Sequence, residues 1–146
     1  MPGPDRTANL REAIRCYDLA LEVRTRERYP TDWAATMNNR GTAYGQLPGP
    51  DKAANLREAI RCFDQALQVY TRERYPTDWA MTMNNRGNAH VLLPGPDRAA
   101  NLRKAIRCYD EALPVFEAHG ITHHAETTRN NRELARRLLN ELTGGS

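Results

Sequence analysis

The amino-acid sequence predicts an all-α fold in which antiparallel helix pairs stack into a solenoid, and two observations carry that expectation. The first is repetition. "TMNNRG" at residues 36–41 returns unchanged at 82–87 and as "TRNNRE" at 128–133, so Asn38, Asn84 and Asn130 stand 46 residues apart each time. Residues 1–46 and 47–92 differ at twelve positions, mostly by mild exchanges such as Tyr17 for Phe63 and Glu22 for Gln68. The third unit, 93–138, keeps the pattern through Leu113 and then drifts: Pro114 stands for Gln68, Ala125 for Trp79 and Glu133 for Gly87. A period of roughly 20–50 residues marks a stacked array, because a unit too small to bury its own apolar face buries it against the next one. The second observation is periodicity, since apolar residues within each unit recur at the three- and four-residue steps of a helix.

Each unit holds two helix patterns. The longer one begins at "PGPD". Gly49 and Pro50 suit a helix start, and Asp51 favours the positive end of the helix dipole. Leu56, Ala59, Ile60, Phe63, Ala66, Leu67 and Tyr70 then form a stripe, widened by Cys62 and Val69. A stripe that broad implies neighbours on two sides. The pattern runs to Tyr75, about 25 residues or ~37 Å of helix. Pro76 ends it, and Thr77 or Asp78 is the expected N-cap of the second helix. There Trp79, Met83, Gly87 and His90 share a face, matched upstream by Trp33, Met37, Gly41 and Tyr44. A glycine inside a helix costs about 1 kcal/mol against alanine, so Gly41 and Gly87 are expected at close helix crossings. The last helix, about 123–142, has Leu134, Leu138 and Leu142 on one side and charges elsewhere, as a terminal cap should. At the other end Leu19 stands where the second unit has Gln65, so the N-terminal end is expected to be sticky or to continue a longer array. The closing "GGS" reads as a cloning remnant.

Composition bounds the function. A chain of 146 residues has the size of one domain, read here as a single repeat domain over 1–146. No apolar run approaches the ~20 residues of a membrane span, and "MPGPDRTANL" holds no apolar signal segment, so a cytoplasmic location is expected. Net charge is only +3, with arginines interleaved among acids, which argues against a nucleic-acid partner. Cys16, Cys62 and Cys108 recur at one repeat position, without CxxC spacing, and read as reduced core residues.

"NNRGTAYGQL" followed by "EAIRCFDQAL" resembles the tetratricopeptide (TPR) repeat. The residues that carry the likeness are Gly41, Ala43 and Tyr44, then Ala59, Ile60, Phe63, Ala66 and Leu67; Gly87, Ala89 and His90 with Ala105, Ile106, Tyr109, Ala112 and Leu113 repeat it. The lengthened unit is similar to the long repeats that accompany caspase-like CHAT domains. The resemblance implies a right-handed superhelical solenoid of about six helices. Residues 5–28 would form a second helix without its first-helix partner, followed by pairs over 31–75 and 77–118. It also implies a protein-interaction module or scaffold that holds a peptide or helix along its concave groove. The family has leucine where this chain has Arg40 and Arg86. Either the arginine stem lies along the core with its head in water, or the face is rotated.

The first helix of each pair would line the groove, which makes Asn38, Asn39, Thr42, Asn84, Asn85, Asn88 and Asn130 the candidate peptide-binding residues. An amide donates and accepts, and so can clamp an extended backbone. The alternative is that these asparagines bond one another or the adjacent helix and fix the stacking. Of the carboxylate-clamp pattern found in some family members only Asn88 fits, which argues against a chaperone-tail receptor. Arg11, Arg57 and Arg103 recur, as do Arg15, Arg61 and Arg107. Asp18, Asp64 and Asp110 lie three residues beyond the second set, the spacing of local ion pairs. His119, His123, His124 and Glu126 are split by Gly120 and read as a loop with capping histidines rather than a metal site. Trp33 and Trp79 read as core. No nucleophile–base set stands outside the repeat pattern, so no enzyme activity, cofactor or metal is expected. The competing function is self-assembly into a homodimer or fibre through the repeat ends.

Overall fold

The structure, a computed structural model, describes residues 4–144; the tail residues Gly145 and Ser146 lie outside that range. Among the described residues there are six helices and no strand: α1 Pro4–Val23, α2 Pro30–Gln46, α3 Lys52–Ala66, α4 Pro76–Leu92, α5 Arg98–Ala118 and α6 Thr122–Thr143. The all-α expectation and the helix number hold. The chain forms two compact units, divided after Tyr70. In the first, α2 packs against both α1 and α3; in the second, α5 packs against α4 and α6, and α4 also touches α6.

The long helices are shorter than the apolar stripe suggested. The stretch read as one helix to Tyr75 is helical only over Lys52–Ala66 in α3, and "TRERYP" forms a turn of its own. Two local effects stop the helix. The Thr71 hydroxyl accepts a hydrogen bond from the Arg74 backbone N–H at 3.3 Å, and Thr25 does the same for Arg28 at 3.4 Å. Such side-chain-to-backbone bonds compete with the helical ladder. Tyr75, preceding a proline, is pushed out of the helical region to φ −135° and ψ 64°.

The second helices also begin one step earlier than expected. Pro30 and Pro76 are the first helical residues, where a missing N–H is harmless. Tyr29 and Tyr75 take the N-cap position without a side-chain cap bond. Thr77 and Asp78 therefore lie inside the first turn, where a carboxylate still meets the positive dipole end. The α5 terminus closes on glycine: Gly120 adopts φ +67° while Ile121 N–H reaches Phe116 O and Gly120 N–H reaches Glu117 O. These are the paired bonds that satisfy the last carbonyls of a helix.

The glycines at the helix crossings explain themselves. A Cβ added at Gly41 would lie 2.7 Å from Phe63 Cε1, 3.0 Å from the Ala59 carbonyl oxygen and 3.0 Å from Cys62 Cβ. At Gly87 it would lie 2.7 Å from Tyr109 Cε1 and 3.2 Å from Cys108 Cβ. In each unit the short helix thus rests its backbone on an aromatic ring and a cysteine of the long one. The residues beneath are dry: Ala59, Cys62, Ala105 and Cys108 are at most 1% exposed.

Gly87→Leu is expected to lower the unfolding free energy by about 1–3 kcal/mol or more through overpacking. Gly45→Ala, whose new Cβ would meet only Ala59 Cβ at 3.8 Å, should instead raise it by up to about 1 kcal/mol through helix propensity. Urea unfolding of the two variants reads both signs, and a tolerated leucine at position 87 would refute the close crossing.

Candidate functional site

The repeated "NNR" segment lies on α2, α4 and α6, and the structure gives its members different work. In the second unit Asn84 Oδ1 accepts from the Thr128 hydroxyl at 3.1 Å. Asn88 Oδ1 accepts twice, from the Tyr109 hydroxyl at 2.6 Å and from Asn131 Nδ2 at 3.2 Å. These bonds tie α4 to α5 and α6. Burial pushes the Tyr109 hydroxyl above its ordinary titration range, helped by the adjacent Cys108, so the ring stays a neutral donor to Asn88. Thr128 is completely buried.

In the first unit Thr42, at the place of Asn88, turns its hydroxyl back onto the Asn38 carbonyl of its own helix at 3.1 Å. Phe63, at the place of Tyr109, has no hydroxyl to offer. Asn39 is exposed on α2 and Asn130 on α6, while Asn38 and Asn85 are half-buried. Of the seven candidate binding residues, Asn84 and Asn88 are therefore built into the packing, and Asn39 and Asn130 present most surface.

Arg40 is the residue whose role sequence reasoning left open, and neither expectation about it fits. Its side chain is 16% exposed and its head is neither in water nor rotated away. Nε donates to Asp18 of α1 at 2.8 Å, and Nη1 donates to Glu58 of α3 at 2.8 Å and to Cys62 Sγ at 2.9 Å. The guanidinium also lies 4.8 Å from the Tyr44 ring centre, a cation–π distance. One arginine thus links three helices. Burial works against its charge, but the bonds to Glu58 and Asp18 outweigh burial and hold its pKa above the ordinary value. Glu58 answers in kind. Burial would raise it, yet hydrogen bonds from Arg40 and Arg61 hold it below its ordinary value of 4.5. Burial raises the Cys62 thiol despite the nearby Arg40. In the second unit Arg86 Nη1 reaches Cys108 Sγ at 3.3 Å.

The ion pairs correct a further expectation. Arg61 pairs with Glu58 three residues earlier, at 2.7 Å, and Arg15 pairs with Glu12 in the same way. The aspartates expected to bind those arginines instead cross to the next helix: Asp18 meets Arg40, and Asp110 meets Arg132 at 3.1 Å. The signal was in the sequence, because each pair is separated by 22 residues. Cys16 departs from its counterparts, being exposed while Cys62 and Cys108 are buried; all three are free thiols. Trp33 and Trp79 are half-buried rather than core, each beneath an arginine of the preceding turn, Arg26 at 5.6 Å and Arg72 at 5.5 Å. His119 sits at the α5 C-cap with Nδ1 3.0 Å from the Val115 carbonyl, and His124 stacks on Phe116. Among the described residues no cluster of three histidine, cysteine or acidic side chains could hold a metal ion. No family model, curated protein or solved structure matches the chain.

Two outcomes follow from this geometry. Because the folded-state pKa of Glu58 is depressed, its contribution is complete above pH 4.5 and lost as pH falls through the lower folded value. Arg40→Leu should therefore cost about 1–3 kcal/mol at neutral pH, the loss of charged hydrogen bonds. That cost should shrink in acid as Glu58 and Asp18 protonate. Urea titrations across the acid range test this, and a pH-independent cost would show that packing, not charge, is lost. Asn88→Ala strands the buried Tyr109 hydroxyl and should cost about 1–3 kcal/mol; the double variant Asn88→Ala with Tyr109→Phe should recover part of it. A double-mutant cycle with no coupling would remove the proposed bond.

Proposed function

We propose that the chain is a tetratricopeptide-like, right-handed superhelical solenoid that serves as a non-catalytic protein-interaction module or scaffold. It binds an extended peptide or a helix along its concave face, by shape and amide hydrogen bonds and without a cofactor. The observation that supports this reading most is the α4–α6 seam. Two helices bearing the "NNR" segment lie side by side, with Asn131 and Asn88 bonded across at 3.2 Å. A groove lined by first helices requires this adjacency. The outer amides, Asn39 and Asn130, are the groups best presented to a ligand backbone. The inner ones, Asn84 and Asn88, hold the wall in shape.

Selection of peptides from a display library tests the reading. Asn39→Ala combined with Asn130→Ala leaves the Asn84 and Asn88 bonds untouched, so helical content should persist while selected peptides bind about tenfold more weakly, as expected for about one lost hydrogen bond. Peptides bound equally by both proteins would place the contact elsewhere. Weak dependence of binding on salt is expected, whereas a steep dependence would favour a nucleic acid. No helix among the described residues is long and apolar enough to cross a membrane.

A second reading, self-assembly through the N-terminal end, draws on Leu19 and Val23 of α1, which are 58% and 70% exposed. Light scattering across a concentration series separates the two, since a monomer at all concentrations excludes a dimer or fibre.

A further inference from the structure

The three long helices α1, α3 and α5 carry nearly the same sequence, "ANLREAIRCYDLAL", "ANLREAIRCFDQAL" and "ANLRKAIRCYDEAL", yet they are covered differently. On α3 the strip Ala59, Cys62 and Phe63 lies under Gly41 of α2; on α5 the corresponding Cys108 and Tyr109 lie under Gly87 of α4. The residue preceding each glycine is an arginine whose Nη1 reaches the cysteine sulfur, at 2.9 Å for Arg40 and 3.3 Å for Arg86, and Arg40 also takes Glu58. The matching strip on α1 is Glu12, Ala13, Cys16 and Tyr17. There the cysteine is exposed, the alanine and tyrosine are half-buried, and the Glu12 side chain is 56% exposed. The α2 side of α1 is already used: Ile14, Ala43 and Leu47 form a buried cluster with Leu10, Tyr17 and Tyr44 packed on it.

We propose that this strip of α1 is a socket for a partner's amphipathic helix that presents an Arg-Gly pair. The glycine would settle on Cys16 and the Tyr17 ring, and the arginine would bond Glu12 and the cysteine sulfur. Arg15 does not block the arginine, since Arg61 holds Glu58 in the same way while Arg40 is bound. The flanking Leu19 and Val23 would be covered by the same helix.

Within a second copy of the chain no helix suits the socket. Those of α2 and α4 already spend their Arg-Gly faces on α3 and α5. The corresponding pair on α6 is Arg132-Glu133, and a side chain at the glycine position meets the aromatic ring even at its Cβ. The occupant is therefore an Arg-Gly helix from a different protein. This inference does not depend on the concave-groove reading.

The test uses the full chain and a synthetic peptide with the sequence of residues 30–47, side-chain stapled on its exposed face to hold the helix. The readout is the rate at which iodoacetamide alkylates Cys16, located by peptide mapping. Protection of about tenfold at a peptide concentration roughly ten times its Kd is expected. Gly41→Leu or Arg40→Ala in the peptide, or Glu12→Lys in the chain, should abolish most of it. Glu12 is on the surface, and circular dichroism and urea unfolding of that variant should match the parent. Three results would overturn the proposal: no protection by the parent peptide; equal protection by the Gly41→Leu peptide; or alkylation of Cys62, meaning that the peptide displaces α2 instead. Shielding of Cys16 that grows with protein concentration alone would identify a second copy as occupant and would overturn it too.

Discussion

The close crossing of a short helix over a long one is the constraint on which each unit is built. At Gly41 and Gly87 the backbone comes so near an aromatic ring that a Cβ would sit 2.7 Å from it. This nearness has consequences on both sides. It seals Ala59, Cys62, Ala105 and Cys108 from water, and it carries the neighbouring residue, always arginine, over the edge of the apolar strip. A leucine there would extend the strip. An arginine instead spans from the strip to the next helix, because its stem is apolar and its head requires partners. The ion pairs are therefore a result of the crossing, with glycine setting the distance and arginine filling the resulting margin.

The two units meet the same geometry with different polar chemistry. In the first, the link among helices is charged: Arg40 holds Asp18, Glu58 and Cys62 together. Removing water from such a cluster is costly, so its value lies in the good geometry of every bond and in partners that leave no charge alone. In the second unit a neutral network adds to it, from Tyr109 and Asn131 through Asn88, and from Thr128 to Asn84. Two exchanges between units account for the change. Phe63 gives way to Tyr109 and supplies a hydroxyl; Thr42 gives way to Asn88 and supplies its acceptor. Either exchange alone would bury a polar group without its partner, which costs more than the pair gains.

The helices and their number were readable from the apolar period, and the crossing from the glycines that interrupt it. The ends were harder to read. The stripe from Leu56 to Tyr70 continues past Ala66 because a single turn can keep the same side chains inward after the helical ladder has stopped, so periodicity alone cannot locate the break. The Thr71 hydroxyl and the proline two turns later were the better markers. Polar roles were read least well. Asn84 and Asn130 look alike in sequence, yet one is fixed by Thr128 and the other faces outward, since α6 follows α4 on one side only. Asp18 was assigned to its own helix because spacing along a chain reveals local neighbours, whereas Arg40 lies 22 residues away on another helix. The exposure of Cys16 was concealed by its identity with Cys62, because a repeat gives equal residues to positions with unequal neighbours.

That last point bears on how a repeated chain acquires function. Identical strips on α1, α3 and α5 have identical chemical needs, and only the surroundings decide which are met internally. Where a covering helix is present, the alanine–cysteine–aromatic strip contributes to stability; where none is present, the same atoms are accessible to a partner. Residues already satisfied cannot add much to recognition, because breaking Asn88 from Tyr109 to reach a ligand would cost as much as the new bond returns. Recognition must then fall to positions where the repeat is incomplete: the outer amides Asn39 and Asn130, and the uncovered strip of Glu12, Cys16 and Tyr17. Near-identity among units fixes the shape, and the departures from equal surroundings select the surfaces available for binding.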